Sequence, residues 1–134
     1  MKKSIFDTNI LTAFLKDNSR VVNKVAEYLD KYDKLTISVI TYYEILRGLK
    51  EIKSKKKLEL FYEMAEKAEI IILTVEIMDK ASDIYLELKK EGELIEDADI
   101  LVAASAMVND LVLITDNERH FRRIEVLEVE NWLH

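Results

Sequence analysis

Short strand-sized apolar runs recur along this chain, each followed by a longer stretch with helical periodicity. That alternation leaves few folds open to it. Ser4 to Asp7 reads as a buried strand, with Thr8 and Asn9 at the cap of a helix running to Leu15. Arg20 to Lys31 carries Val21, Val22, Val25, Ala26 and Leu29 at helical spacing, and the β-branched run Leu35 to Val39 follows as a strand. Thr41 to Leu49 is helical, as is the segment marked by Leu58, Phe61, Ala65 and Ala68; Ile70 to Leu73 is strand-like, and Val75 to Lys90 is helical again. Gly92 breaks the pattern before Asp97 to Val108, a helix apolar nearly all round and so a buried one. Leu111 to Thr115 is a strand, Asn117 to Phe121 a turn or short helix, and Ile124 to Leu127 a last short strand before Trp132. The expected fold is α/β, a three-layer α/β/α sandwich around a central, mostly parallel sheet.

At 134 residues the chain fits one domain spanning 1–134, with no linker, repeat or low-complexity segment. The absence of cysteine removes disulfides, thiolate zinc sites and cysteine nucleophiles. Met1-Lys2-Lys3 is followed by only a two-residue apolar step before Asp7, which gives no signal-peptide core, and no run is long enough to span a membrane. A cytoplasmic protein is expected. The net charge of −6 argues against a protein that coats nucleic acid, because such binding rests on phosphate neutralisation. Basic residues gather in two places, Arg47 through Lys57 with Lys50, Lys53, Lys55, Lys56 and Lys57, and the group Arg119, His120, Arg122 and Arg123. On charge alone, a solvated helix face or turn is the favoured reading of each.

In open α/β sheets ligands bind outside the carboxyl ends of the strands. Asp7 closes the first strand at that end. Glu44 lies in the first turn or so of the helix that leaves the second strand, on the same edge. The helix from Asp97 returns through the Asn109-Asp110 turn into Leu111 to Thr115, so its start, with Asp97 and Asp99, shares the edge with Asp116 and Asn117. Crowded carboxylates raise one another's pKa unless a cation neutralises them, and oxygen-only ligands favour Mg²⁺ or Mn²⁺. Zinc is less suitable, since His120 and His134 lie outside the cluster. Mg²⁺ bound by a few carboxylates points to phosphate-ester chemistry. Each acid also has a structural reading: Asp7 caps the following helix, Thr41-x-x-Glu44 matches a capping box, and Asp97 sits as an N-cap. Asp97 and Asp99 do not share a helix face, so Asp99 is taken as the ligand and Asp97 as a cap or outer group. The aromatic residues Tyr28, Tyr32, Tyr42, Tyr43, Phe61, Tyr62 and Tyr85 read as core or dimer interface.

Four segments then carry a resemblance: Phe6-Asp7-Thr8-Asn9; Ser38 to Gly48 with Tyr43-Glu44-Ile45-Leu46-Arg47; Gly92 with Ile95-Glu96-Asp97-Ala98-Asp99 to Ala104; and Leu113-Ile114-Thr115-Asp116-Asn117 leading to Phe121. In this order and spacing the chain resembles the PIN-domain family, and within it the VapC-type toxins. The resemblance implies a Mg²⁺-dependent endoribonuclease acting on tRNA or rRNA, silenced by a cognate VapB-type antitoxin and commonly a homodimer. It carries metal-site and catalytic roles onto Asp7, Glu44 and Asp99, with Asp97 and Asp116 as further ligand candidates. The family's fourth acidic position falls on Asn117, with Asp116 beside it. Thr8, Asn9, Thr115 and Asn117 are candidates to contact water or phosphate, and Arg47, Lys53, Lys55, Lys56 and Lys57 to draw in the RNA backbone. Two rivals remain: a noncatalytic PIN-like RNA- or protein-binding module, and a HAD-like Mg²⁺ phosphatase, which normally wants a second Asp where Asn9 stands.

Overall fold

The computed structural model describes residues 1–134. Five short strands and seven helices follow one another as β1 (Ser4–Phe6), α1 (Thr8–Leu15), α2 (Ser19–Tyr32), β2 (Thr36–Ser38), α3 (Val39–Ile52), α4 (Lys55–Lys67), β3 (Glu69–Ile71), α5 (Val75–Lys90), α6 (Asp97–Val108), β4 (Val112–Ile114), α7 (Glu118–Phe121) and β5 (Val129–Glu130). Every strand pair is parallel. Ser4 registers with Val112 and Phe6 with Ile114, Leu113 with Val129, and Thr36 with Glu69. The ladders form a three-stranded sheet β1-β4-β5 and a two-stranded sheet β2-β3, with β2 set beside β1.

Alternation along the strands divides the core. Ile5 and Leu113 point to one side, among Ile77, Ile84 and Leu88 of α5 and Ile100 and Ala103 of α6. Phe6, Val112 and Ile114 point to the other, among Ile10 and Leu11 of α1, Val25 and Tyr28 of α2, and Phe61 of α4. Strands buried on both faces need a helical layer on each, which is the three-layer arrangement the sequence predicts. No helix is long and apolar enough to cross a membrane.

Helices α1, α5 and α6 begin and end where periodicity places them, and three local devices explain the stops. Gly92, at φ +68°, follows α5; Gly92 N–H reaches the Lys89 carbonyl and Glu93 N–H the Leu88 carbonyl, a Schellman turn. Asp17 (φ 61°) and Asp110 (φ 53°) close α1 and α6 in the same way. Asn18 then caps α2, accepting from Val21 N–H at 3.1 Å.

Three expectations are corrected. Helix α3 starts at Val39 rather than Thr41, because Ser38 serves as its cap and accepts from Ile40 N–H at 3.1 Å. Thr41 therefore lies inside the helix, the capping box does not form, and Glu44 moves into the second turn. Asp97 is not an N-cap either, since Glu96 holds that place without a side-chain bond and Asp97 opens α6 as an exposed residue. The last strand is Val129–Glu130, not Ile124 to Leu127. Ile124 and Leu127 are buried at turn spacing, with Leu127 N–H bonded to the Ile124 carbonyl at 3.1 Å, so their shared burial comes from a turn rather than from a pleat. Among the aromatic residues, Tyr28 and Phe61 are fully buried, while Tyr43, Tyr62 and Tyr85 are exposed.

Gly48 sits inside α3 with open space where a Cβ would stand. Gly in a helix interior is roughly 1 kcal/mol less favourable than Ala. Gly48→Ala is therefore expected to raise the unfolding free energy of the isolated chain by about that amount, seen as a higher midpoint in a urea titration, and a lower midpoint would contradict it.

Candidate active site

From β1 the chain passes to β2 and β3 on one side and later crosses to β4 and β5 on the other. The reversal leaves a crevice at the carboxyl ends of β1 and β4, the place where such sheets bind ligands. A cleft of about 760 Å³ opens there, lined by Asp7, Thr8, Asn9, Thr12, Lys16, Asn18, Glu44, Arg47, Asp99, Asp116 and Asn117 among others.

Asp7 is only 5% exposed and caps α1, its Oδ1 accepting from Thr8 N–H at 2.9 Å. Its Oδ2 accepts from the Thr115 hydroxyl at 2.8 Å. Burial raises the Asp7 pKa, the Thr115 and Thr8 donors oppose that, and the nearby Glu44 charge adds to it. Glu44 Oε1 accepts from the Thr8 hydroxyl at 2.6 Å, so one residue orients both acids, Asp7 by its amide and Glu44 by its side chain. Asp99 is half-buried in the first turn of α6 and has its pKa pushed up to about 6, first by burial and then by the charges of Asp7, Glu96 and Glu44.

No Lys, Arg or His forms an ion pair with Asp7, Glu44 or Asp99. Three carboxylates thus face one cleft without an ion-pair partner, although they are not drawn together into a ready-made three-ligand cage. The donor set is hard oxygen only, and its uncompensated charge suits a cation that keeps part of its hydration, as Mg²⁺ does. These residues fit such an ion.

The remaining expected residues separate. Thr115 is fully buried, with its hydroxyl given to Asp7 and accepting from Asn117 N–H at 3.0 Å, so it holds Asp7 in place and does not meet solvent or phosphate. Asn9 Oδ1 accepts from Asp116 N–H at 2.9 Å and ties α1 to the end of β4. Asp116 borders the cleft but is engaged by Asn131 at 3.1 Å and His134 at 3.5 Å. The Asn117 amide rests against His120 at 2.9 Å. Asp97 is exposed and does not line the cleft.

Arg47 lines the cleft, and Lys57 lines an adjoining groove with Thr8 and Glu44, while Lys53, Lys55 and Lys56 stand outside both. The second basic group is structural, with Arg122 near Glu118 at 3.8 Å and Arg123 near Glu93 at 3.9 Å. Sequence reasoning missed Thr12 and Lys16; the signal was the polar series Thr8, Thr12, Lys16 at four-residue spacing along α1 and its C-cap.

Comparison with known proteins identifies the family. The PIN domain family matches residues 4–127. Ribonuclease VapC1 of Methanocaldococcus jannaschii is 34% identical over 123 residues, which is 92% of this chain and 82% of that protein. The tRNA(fMet)-specific endonuclease VapC of Shigella flexneri is 24% identical over 137 residues, covering 98% of this chain and 99% of that protein. Among solved structures, that of VapBC2 from Rickettsia felis bound to a DNA fragment from their promoter aligns at TM-score 0.80 and 29% identity, over 96% of this chain and 98% of that one. The phosphatase reading falls with these matches. The chain therefore belongs to the PIN-domain family and, within it, to the VapC ribonucleases.

Proposed function

We propose that this ribonuclease hydrolyses phosphodiester bonds of structured RNA, tRNA or rRNA, with Mg²⁺ (or Mn²⁺) held by Asp7, Glu44 and Asp99. The observation that carries the reading is that these three carboxylates, none of them ion-paired, line one crevice at the carboxyl ends of β1 and β4. When bound, the ion supplies charge neutralisation at the phosphate and a water acidic enough to serve as nucleophile.

The chain's own residues do the positioning. Thr115 and the Thr8 amide fix the Asp7 carboxylate by one donor on each oxygen, and the Thr8 hydroxyl fixes Glu44. Preorganisation of this kind is worth more in a partly desolvated cleft than in water. Asp116 and Asn117 form the far wall, where Asp116 is available as an outer acidic group once released from Asn131 and His134. Arg47 and Lys16 place positive charge at the mouth of an acidic site, which lets a polyanion approach despite the net charge of −6. Lys53, Lys55, Lys56 and Lys57 extend that charge around the turn between α3 and α4. In a PIN-like binder without catalysis, the acids would serve as caps, yet Glu44 and Asp99 cap nothing.

The partner is a VapB-type antitoxin, a reading supported by the likeness to a VapBC complex; the antitoxin occupies the cleft, and the toxin itself is a homodimer acting in the cytoplasm. A pool of total tRNA and rRNA incubated with the purified chain tests the activity. Discrete cuts with Mg²⁺ that vanish in EDTA, leaving 5′-phosphate and 3′-hydroxyl ends, are expected; intact RNA under all conditions with a folded protein would overturn the reading.

A further inference from the structure

Tyr43 precedes Glu44 in α3, is 57% exposed, and carries the Arg47 guanidinium over its ring at 5.1 Å. Arg47 has two carboxylates within helical reach, Glu44 three residues before it and Glu51 four after, and pairs with neither. It rests on the ring while lining the carboxylate cleft. Of the three cation–aromatic pairs on the surface, this is the one whose cation also lines the carboxylate cleft. It leaves one ring face covered by a cation, a tyrosine more than half exposed, and a guanidinium whose donors no carboxylate occupies.

A second oddity lies further along the same surface. Helix α4 opens with Lys55, Lys56 and Lys57 and has no acidic residue in its first turn, which sets three positive charges against the positive end of the helix dipole. None of these lysines, nor Lys50 or Lys53, has an ion-pair partner. Charges held where they cost stability mark a surface built for an anionic partner. Glu44 to Lys53 spans about 14 Å of helix rise, so this ridge continues directly from the cleft past the Tyr43–Arg47 pair.

We propose that Tyr43 and Arg47 form a stacking platform at the mouth of the cleft that receives one unpaired nucleobase beside the scissile phosphate. Arg47 contacts the adjoining phosphate, and the unpaired lysines bear the backbone beyond it. The substrate class is then RNA cut in a single-stranded loop or bulge, because only an unstacked base can reach an aromatic ring. This inference rests on the ribonuclease reading but is separable from it.

The test uses a short single-stranded RNA carrying 2-aminopurine, bound to the full chain in EDTA so that no cleavage is needed. Quenching of the 2-aminopurine signal by wild-type protein is expected, together with a loss of affinity of roughly 5- to 150-fold in Tyr43→Ala, the range for one stacked base. Tyr43→Trp should restore both, which a merely structural role for the ring would not. Cleavage of the loop RNA with Mg²⁺ should fall in parallel, through KM more than kcat. Unchanged affinity and quenching in Tyr43→Ala would overturn the platform even if the wild type cuts RNA well. So would unchanged RNA binding with a shift in oligomeric state on a sizing column, since Tyr43 would then be a contact between copies. If 2-aminopurine is quenched through Tyr43 but RNA stays intact with Mg²⁺, the platform stands and the hydrolytic reading fails.

Discussion

Asp99→Asn is expected to cut Mg²⁺-dependent RNA cleavage by at least about a hundred-fold while making the metal-free protein more resistant to heat at neutral pH. The two effects have one cause. Asp99 sits half-buried near Asp7, Glu96 and Glu44, all negative, and its pKa of about 6 lies above the ordinary 3.8. As pH rises, the unfolded chain releases this proton before the folded one does, so ionisation of Asp99 favours unfolding. The contribution of Asp99 to the stability of the metal-free wild type should fall between about pH 4 and 6 and stay low above that. An amide at this position escapes the penalty. With solvent screening of a half-exposed group allowed for, the gain at pH 7 is on the order of 1 kcal/mol, or a few degrees in melting temperature. At pH 4 wild type and variant should melt together. Mg²⁺ should raise the melting temperature of the wild type and leave the variant nearly unmoved, since the stabilisation is that of an ion bound to the folded state alone. Melting curves in EDTA at the two pH values, and again with Mg²⁺, decide the matter. A variant that melts lower than wild type at pH 7 would show that Asp99 is held by some interaction other than charge crowding, and one that keeps cleaving would show that the ion does not depend on Asp99.

How much of this site was legible in the sequence depends on what kind of information each residue carries. The position of Asp99 follows from chain direction alone: a buried helix, a tight Asn109-Asp110 turn and a strand force the helix start back to the strand's carboxyl end. Asp7 follows in the same way from the strand it closes. Periodicity places Glu44 on the correct edge but in the first turn or so, because β-branched Val39 reads as the end of a strand, whereas Ser38 caps a helix that already includes Val39 and Ile40. Local propensity loses there to tertiary packing. The family resemblance offers Thr115 as a contact to water or phosphate. Its burial comes from β4 lying between β1 and β5, a pairing that spacing does not encode. The exposure of Tyr43 was equally hidden, since an aromatic residue on a partly apolar helix looks the same whether it faces core or solvent.

Phe6→Ala carries the largest expected effect on folding. The ring is fully buried, and meets Tyr28 and Trp132 edge-on at 5.1 Å each, joining the first strand, the second helix and the chain's last residues in one aromatic cluster. Tyr28 cannot move in to fill the gap freely, because its hydroxyl is anchored by Ser4 N–H at 3.1 Å. The site can collapse only partly, so the loss should approach the upper part of the range for such truncations, about 3–5 kcal/mol. A domain of this size has roughly 5–15 kcal/mol in total, which brings the variant near its folding threshold. The consequence reaches the cleft. Phe6 is bonded directly to Asp7, and Trp132 lies beside Asn131, whose amide engages Asp116 at 3.1 Å. Activity should therefore fall with the folded fraction and return on cooling or in a stabilising osmolyte, unlike the loss in Asp99→Asn, which no condition restores. Urea titration gives the stability directly, with Val126→Ala, at a residue 79% exposed, as a control expected within about 0.5 kcal/mol of wild type. A Phe6→Ala loss under about 1.5 kcal/mol would mean that the aromatic cluster repacks around the missing ring, and that Asp7 is held by its Thr115 and Thr8 hydrogen bonds rather than by the core behind it.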